Sequence, residues 1–222
     1  MKSNTLDQER VQSNFEAYAH SFDEIYGDSG EKSIVGRSLD KWLRKSMFLR
    51  FKETLQSIDH TDIHSIVDVG CGSGRYCAEF LKMGKTVTGV DIASEMLNLA
   101  SAICKKEVPE GQIVFINGNY INVELGSKHD AAVLMGLFDY IENPEPLLKK
   151  LKNDINKTIL ATFPKNNSFL NSIRKVRYYF FKNCPLYFYS RMGLENLFKS
   201  CGFNQFSISD SDREYYVRIN LQ

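Results

Sequence analysis

Apolar residues recur at helical spacing through residues 6–26, at Leu6, Val11, Phe15, Tyr18, Phe22 and Ile25. They recur again through 33–58, at Trp42, Leu43, Met47, Phe48, Phe51 and Leu55. The pattern predicts two amphipathic helices separated by the breaker Asp28-Ser29-Gly30. Beyond residue 60 the period changes. Short β-branched runs alternate with helical stretches: SIVDVG (65–70), RYCAEFLKMG (75–84), KTVTGVD (85–91), SEMLNLASAICKK (94–106), QIVFING (112–118), HDAAVLMG (129–136), PEPLLKKLK (144–152) and KTILATFP (157–164). Ser94 is the expected N-cap of the second of these helices and Pro144 the opening residue of the third. Near-continuous apolar strands joined through helices predict a parallel sheet covered on both faces. The tail differs. A helix over 193–202 precedes two strands within 203–219, folded about Asp210-Ser211-Asp212. The expected architecture is α/β: a mostly parallel seven-stranded sheet with a C-terminal antiparallel hairpin and helices on both faces.

Chemistry concentrates after the first strand, where Gly70, Gly72 and Gly74 punctuate GCGSG. Ligands of such sheets bind outside the carboxyl ends of the strands, at the switch point of the winding. Glycines there let the backbone approach a ligand where a Cβ would not fit. The following helix, starting near Arg75, points its free N–H groups at the same place. Asp91 ends the second strand, 17 positions beyond Gly74. A carboxylate so placed can accept two hydrogen bonds from a ribose diol. Together these features predict a nucleoside-containing cofactor across the first two strands.

Composition adds bounds. The chain of 222 residues is 43% hydrophobic and 25% charged, enough apolar material for a core, with a formal net charge of only +1. No polyanion-binding character follows from that balance. Five cysteines without a C-x-x-C pair predict reduced thiols and a cytoplasmic setting. The first residues lack a signal-peptide apolar core, and no run of about 18 apolar residues is present. No acidic or His/Cys grouping predicts a metal site. His20, His60, His64 and His129 are scattered, and the last two precede strands, away from the expected site.

The loop is G-x-G-x-G rather than the dinucleotide G-x-G-x-x-G, and the acidic Asp68 precedes it. That arrangement resembles motif I of the class I S-adenosylmethionine-dependent methyltransferases, specifically their small-molecule O-methyltransferase-like branch. VDIASEMLNLA (90–100) resembles their next motif, INGNY (116–120) stands where they often carry Gly-Asp, and LMGLFDYIENP (134–144) resembles their E-H-V-x-D-P stretch. The resemblance is strong over roughly 63–163. It implies a Rossmann-like fold, S-adenosylmethionine as cofactor, and cofactor contacts from Asp68, Gly70, Cys71, Gly72, Gly74, Asp91, Ile92, Met96, Gly118, Asn119, Tyr120 and Met135. Within that set Asp91 would take the ribose, while Ile92 and Met96 would flank adenine. Asn119 Oδ1, in place of an aspartate, would accept from the adenine amino group. On residue chemistry alone, Cys71 is expected to pack beneath the loop, and Met96 to be a core residue as well.

Asp139 and Tyr140 stand at the family's Glu and His, and are the candidate catalytic residues. Asp139 is the better base, or else it caps a loop; Tyr140 is better suited to hydrogen bonding or shape. Residues 1–60 are expected to form a helical lid on a domain spanning 61–222, with a basic-aromatic cap inserted at 165–190. Tyr18 and Tyr26 from the lid, and Arg174, Arg177 and Tyr178 from the cap, are the candidate substrate contacts. Between 165 and 199, Lys165, Arg174, Lys175, Arg177, Lys182, Arg191 and Lys199 face one acid, Glu195, a local excess of six positive charges. Such a segment is a solvated helix face, a receptor for an anionic small-molecule or lipid-linked substrate, or a peripheral contact with an anionic membrane surface. A nucleic-acid methyltransferase is the weaker alternative, since no [DNS]-P-P-[YFW] follows the fourth strand. A non-catalytic S-adenosylmethionine-binding protein remains the other.

Overall fold

A computed structural model describes residues 9–17, 47–60, 62–105, 112–166, 185–211 and 213–221. Two helical segments, α1 (9–17) and α2 (47–58), precede the sheet. Then follow β1 (Ser65–Val69), α3 (Arg75–Lys82), β2 (Thr86–Asp91), α4 (Ser94–Cys104), β3 (Ile113–Asn117), β4 (His129–Leu134), α5 (Glu145–Asp154), β5 (Ile155–Pro164), α6 (Arg191–Ser200), β6 (Gln205–Asp210) and β7 (Glu214–Asn220). Single 3₁₀ turns lie at Tyr120–Asn122 and Phe138–Tyr140. The seven strands form one sheet in the order β3-β2-β1-β4-β5-β7-β6. Its first five strands are parallel, and β7 runs antiparallel between β5 and β6. The winding reverses between β1 and β4, which are neighbours.

Strand alternation divides the core. Ile66, Ala131, Val133 and Leu160 face one layer, with Ile58 of α2, Cys77, Phe80 and Leu81 of α3 and Leu97 of α4. Val67, Ala132, Ile159 and Phe163 face the other, with Leu147, Leu148 and Leu151 of α5 and Leu194 and Phe198 of α6. Each fully buried Val, Leu, Ile or Phe among them contributes about 1.5–3 kcal/mol. Strand β6 is the half-exposed edge, with Gln205, Ser207, Ser209 and Asp210 outward, a polar rim that discourages further pairing.

Two glycines of the β1–α3 loop combine a positive φ with a close approach. Gly70 has φ 72°, and a Cβ there would sit 3.0 Å from Leu137 Cδ1. Gly74, the N-cap of α3, has φ 77°, and a Cβ would meet Ala100 Cβ of α4 at 2.8 Å. One expectation is corrected. Ser94 is the first residue of α4, not its cap; the N-cap is Ala93, without a side-chain cap bond. Asp91 Oδ1 accepts from Ala93 N (2.9 Å), so the carboxylate two residues earlier opens the helix in place of the serine hydroxyl.

The helix expected across 33–58 contributes to the sheet's covering layer where it is described. Ile58 and Thr54 are fully buried, and Arg50 bonds Glu214 of β7 at 3.0 Å. Segment α1 instead lies over the carboxyl end of the sheet. Its Phe15 packs against Ala93 and Met96 and meets the Tyr140 ring edge-on at 5.3 Å.

Candidate active site

Asp91 is the hub. Its Oδ2 accepts from Gly72 N (2.8 Å) and its Oδ1 from Ala93 N (2.9 Å). Its carbonyl accepts from Gly118 N (2.9 Å) and from Asn117 Nδ2 (3.1 Å). The loops after β1, β2 and β3 thus converge on one residue. Gly70 N and Cys71 N both donate to Val90 O, at 2.7 and 3.2 Å, which ties the glycine loop to β2. A carboxylate offers about four lone-pair directions, more than these backbone N–H groups occupy. Burial raises the Asp91 pKa above its ordinary 3.8, and the N–H groups of Ala93, Gly72 and Ile92 offset part of that rise.

A cleft of about 820 Å³, counting its open mouth, lies against this hub. Gly70, Asp91, Ile92, Gly118, Asn119 and Tyr120 line it, as does Tyr140. All seven are among the residues that the sequence predicts at the site. Also in the lining are Val11 of α1, Leu137 and Ile141 flanking the second 3₁₀ turn, Leu147 of α5, and Tyr187. Beyond the helical periods of Val11 and Leu147, no local signal points these side chains at the cleft; they arrive from elements far apart in sequence.

Other expected residues stand behind the lining. Gly72 acts through its N–H to Asp91, and Gly74 through its packing on α4. Met96 is fully buried beside Ala93 and Phe15. Met135 accepts a contact from Thr54 Oγ1 (3.7 Å) on the α2 side. Cys71 packs beneath the loop in the α3 layer. The Cys77 thiol beside it pulls the Cys71 pKa down, but burial and the Asp68 and Asp91 carboxylates outweigh this and leave it raised. Asp68 is 2% exposed, and Cys77 Sγ donates to its Oδ2 at 3.3 Å. Burial, opposed by that hydrogen bond and reinforced by Asp91, lifts Asp68 from 3.8 to about 7. Asn119 Oδ1 accepts from Ile121 N (3.1 Å) and caps the first 3₁₀ turn, so one of its lone pairs is already used.

Residues 66–156 match the family model described as "Methyltransferase domain". Among curated relatives, an uncharacterized methyltransferase of Bacillus cytotoxicus is 23% identical over 131 residues, 59% of this chain and 54% of that protein. The ubiquinone biosynthesis O-methyltransferase of Coxiella burnetii is 27% identical over 154 residues, 68% of this chain and 57% of that one. The chain thus spans about half the length of the curated relatives it matches. Among solved structures, magnesium protoporphyrin IX methyltransferase from Synechocystis, with bound SAH, superposes with a TM-score of 0.77 at 16% identity, covering 97% of this chain and 100% of that one. The likeness to a methyltransferase domain therefore lies in residues 66–156. The chain's fold is that of the class I S-adenosylmethionine-dependent methyltransferases.

Around the cleft, Asp139 and Tyr140 share a 3₁₀ turn yet differ in setting. Tyr140 lines the cleft, whereas Asp139 is 9% exposed and outside the lining. The Asp139 carbonyl accepts from Tyr187 N (2.9 Å), which anchors the chain returning from the insertion. That return is braced by Tyr189 N to Pro164 O (2.8 Å) and Asn166 N to Tyr189 O (3.0 Å). The expected substrate residues Tyr18, Tyr26, Arg174, Arg177 and Tyr178 lie outside the described residues. Two charges of the basic island are paired: Lys165 and Arg191 reach Asp210 of β6 at 2.6 and 2.7 Å. Asp210 lies outside the sequence window over which the excess was counted, and only the hairpin brings it near. Among the described residues no group of His, Cys, Asp or Glu is arranged to hold a metal ion, and no helix is long and apolar enough to cross a membrane.

Proposed function

We propose that this chain transfers the methyl group of S-adenosylmethionine to an oxygen of a small-molecule or lipid-linked acceptor. The observation that carries the reading is Asp91: a carboxylate at the end of β2, locked by two backbone N–H groups and facing a cleft at the sheet's switch point. The donor set suits a nucleoside. Asp91 has lone pairs for a diol, Ile92 and Tyr120 offer apolar faces for a purine, and Gly70 leaves space that a Cβ would close. When bound, the cofactor supplies an electrophilic methyl on a sulfonium, so the protein's task is alignment and exclusion of water.

The chain's own residues divide that task. Val11 and Phe15 of α1 close over the Ala93 and Tyr140 turns and shield the cleft from water. Tyr140 and Tyr187 line the cleft and orient the acceptor by contact. Asp139, behind Tyr140, holds the turn and the returning segment, and its burial favours that role over proton abstraction. Preference for an anionic acceptor, or for an anionic membrane surface, is supported by Arg174, Lys175 and Arg177 in the sequence. The oxygen acceptor itself is supported by likeness to ubiquinone-pathway O-methyltransferases.

The test is S-adenosylhomocysteine release on incubating the protein and S-adenosylmethionine with pools of metabolites, extracted lipids and RNA. Release with the metabolite or lipid pool is expected. Release with RNA alone would overturn the acceptor class, and cofactor binding without release from any pool would make this a binding protein.

A further inference from the structure

The first 3₁₀ turn, Tyr120–Asn122, supplies one wall of the cleft, yet a three-residue turn has little stability of its own. Tyr120 is 3% exposed, and its hydroxyl donates to Asp154 Oδ2 at 2.8 Å, across 34 residues of sequence. Asp154 is the last residue of α5, and Lys150 Nζ sits 2.9 Å from the same carboxylate and 5.2 Å from the Tyr120 ring centroid.

As a piece of helix this carboxylate is badly placed. An acid in the last turn faces the negative end of the helix dipole, and a Lys four residues ahead of an acid is the weaker order for such a pair. Local rules therefore give Asp154 no reason to be there, whereas the tertiary bond to Tyr120 does. The same helix places Leu147 in the cleft, so α5 and the turn form one wall.

We propose that Asp154, held by Lys150, is a positioning residue that fixes the Tyr120 ring as the purine-facing wall of the cofactor cleft. This rests on the reading of the cleft as an S-adenosylmethionine site. Asp154 touches no cofactor atom; it acts through the Tyr120 hydroxyl, and a charge-assisted O–H···O⁻ bond is among the stronger tethers available.

The experiment is a double-mutant cycle on S-adenosylhomocysteine affinity by calorimetry, with circular dichroism confirming that every variant is folded at the temperature used. Tyr120→Phe and Asp154→Ala should each weaken binding about tenfold, the lower end for a hydrogen bond to a charged group. The double variant should be no weaker than either single one, because both remove one interaction. Asp154→Asn, which still accepts from the hydroxyl, should recover most of the loss seen with Ala. A structural tie alone would lower melting temperatures while leaving the affinity of the folded protein unchanged, and that result would overturn the proposal, as would additive losses in the double variant. Wild-type protein that fails to bind S-adenosylhomocysteine would sink the functional reading instead.

Discussion

Asp68→Asn tests the electrostatics beneath the glycine loop. The carboxyl group is 2% exposed and lifted from 3.8 to about 7, chiefly by burial. A raised carboxyl pKa means that the folded state holds its proton more tightly than the unfolded chain does. The associated stability is fully present below the unfolded pKa of 3.8 and is lost as pH rises through about 7. The span of roughly 3 pH units, at about 1.36 kcal/mol each, sets an upper bound of about 4 kcal/mol for ionising Asp68 in place. Asparagine keeps the shape and can still accept from the Cys77 thiol, but it never ionises. The variant should therefore be more stable than wild type at pH 8, by about 1–4 kcal/mol, with the advantage growing from about pH 4 and levelling above about pH 7. Urea unfolding of both proteins at matched pH values from 4 to 9 measures it, and the difference between the two curves cancels every other titrating group. A variant less stable than wild type at pH 8, or a gap that does not change with pH, would refute the assignment.

Asp91→Ala should weaken S-adenosylmethionine binding by about 1.5–3 kcal/mol, read by calorimetry, because it removes a charged acceptor and frees the Gly72 and Ala93 N–H groups. Gly74→Ala forces an L side chain to φ 77° and a Cβ 2.8 Å from Ala100 Cβ, so unfolding in urea should show a loss of about 2–4 kcal/mol. His129, whose Nε2 lies 2.9 Å from Thr88 Oγ1, has its pKa lowered below 6.5, first by burial. The folded state thus prefers the neutral ring: His129's contribution is intact above pH 6.5 and fades as pH falls below it, and its imidazole C–H resonance should titrate with a midpoint under 6.5 by NMR.

Much of this protein is written locally. The β-branched runs, the helical periods, Pro144 before α5 and the hairpin of β6 and β7 all act within a few residues of themselves, and local steric and hydrogen-bonding preferences decide them. The same holds for the glycine loop after β1 and Asp91 at the end of β2, since their chemistry needs only a strand end. Which side chains meet is another matter. Ile92 and Met96 are four residues apart, yet one lines the cleft and the other is fully buried under Phe15, a residue of α1. Asp68 reads as an ordinary motif acid until Cys77 and Asp91 are packed beside it and water is removed. Asp210 pairs with Lys165 and Arg191 only because the hairpin folds back on the sheet. Val11 and Tyr187 reach the cleft, and Asp154 reaches Tyr120 in its wall, from segments with no shared period or motif. Short-range rules set where the backbone goes, while burial, charge pairing and the walls of a cavity depend on neighbours that only the closed sheet supplies.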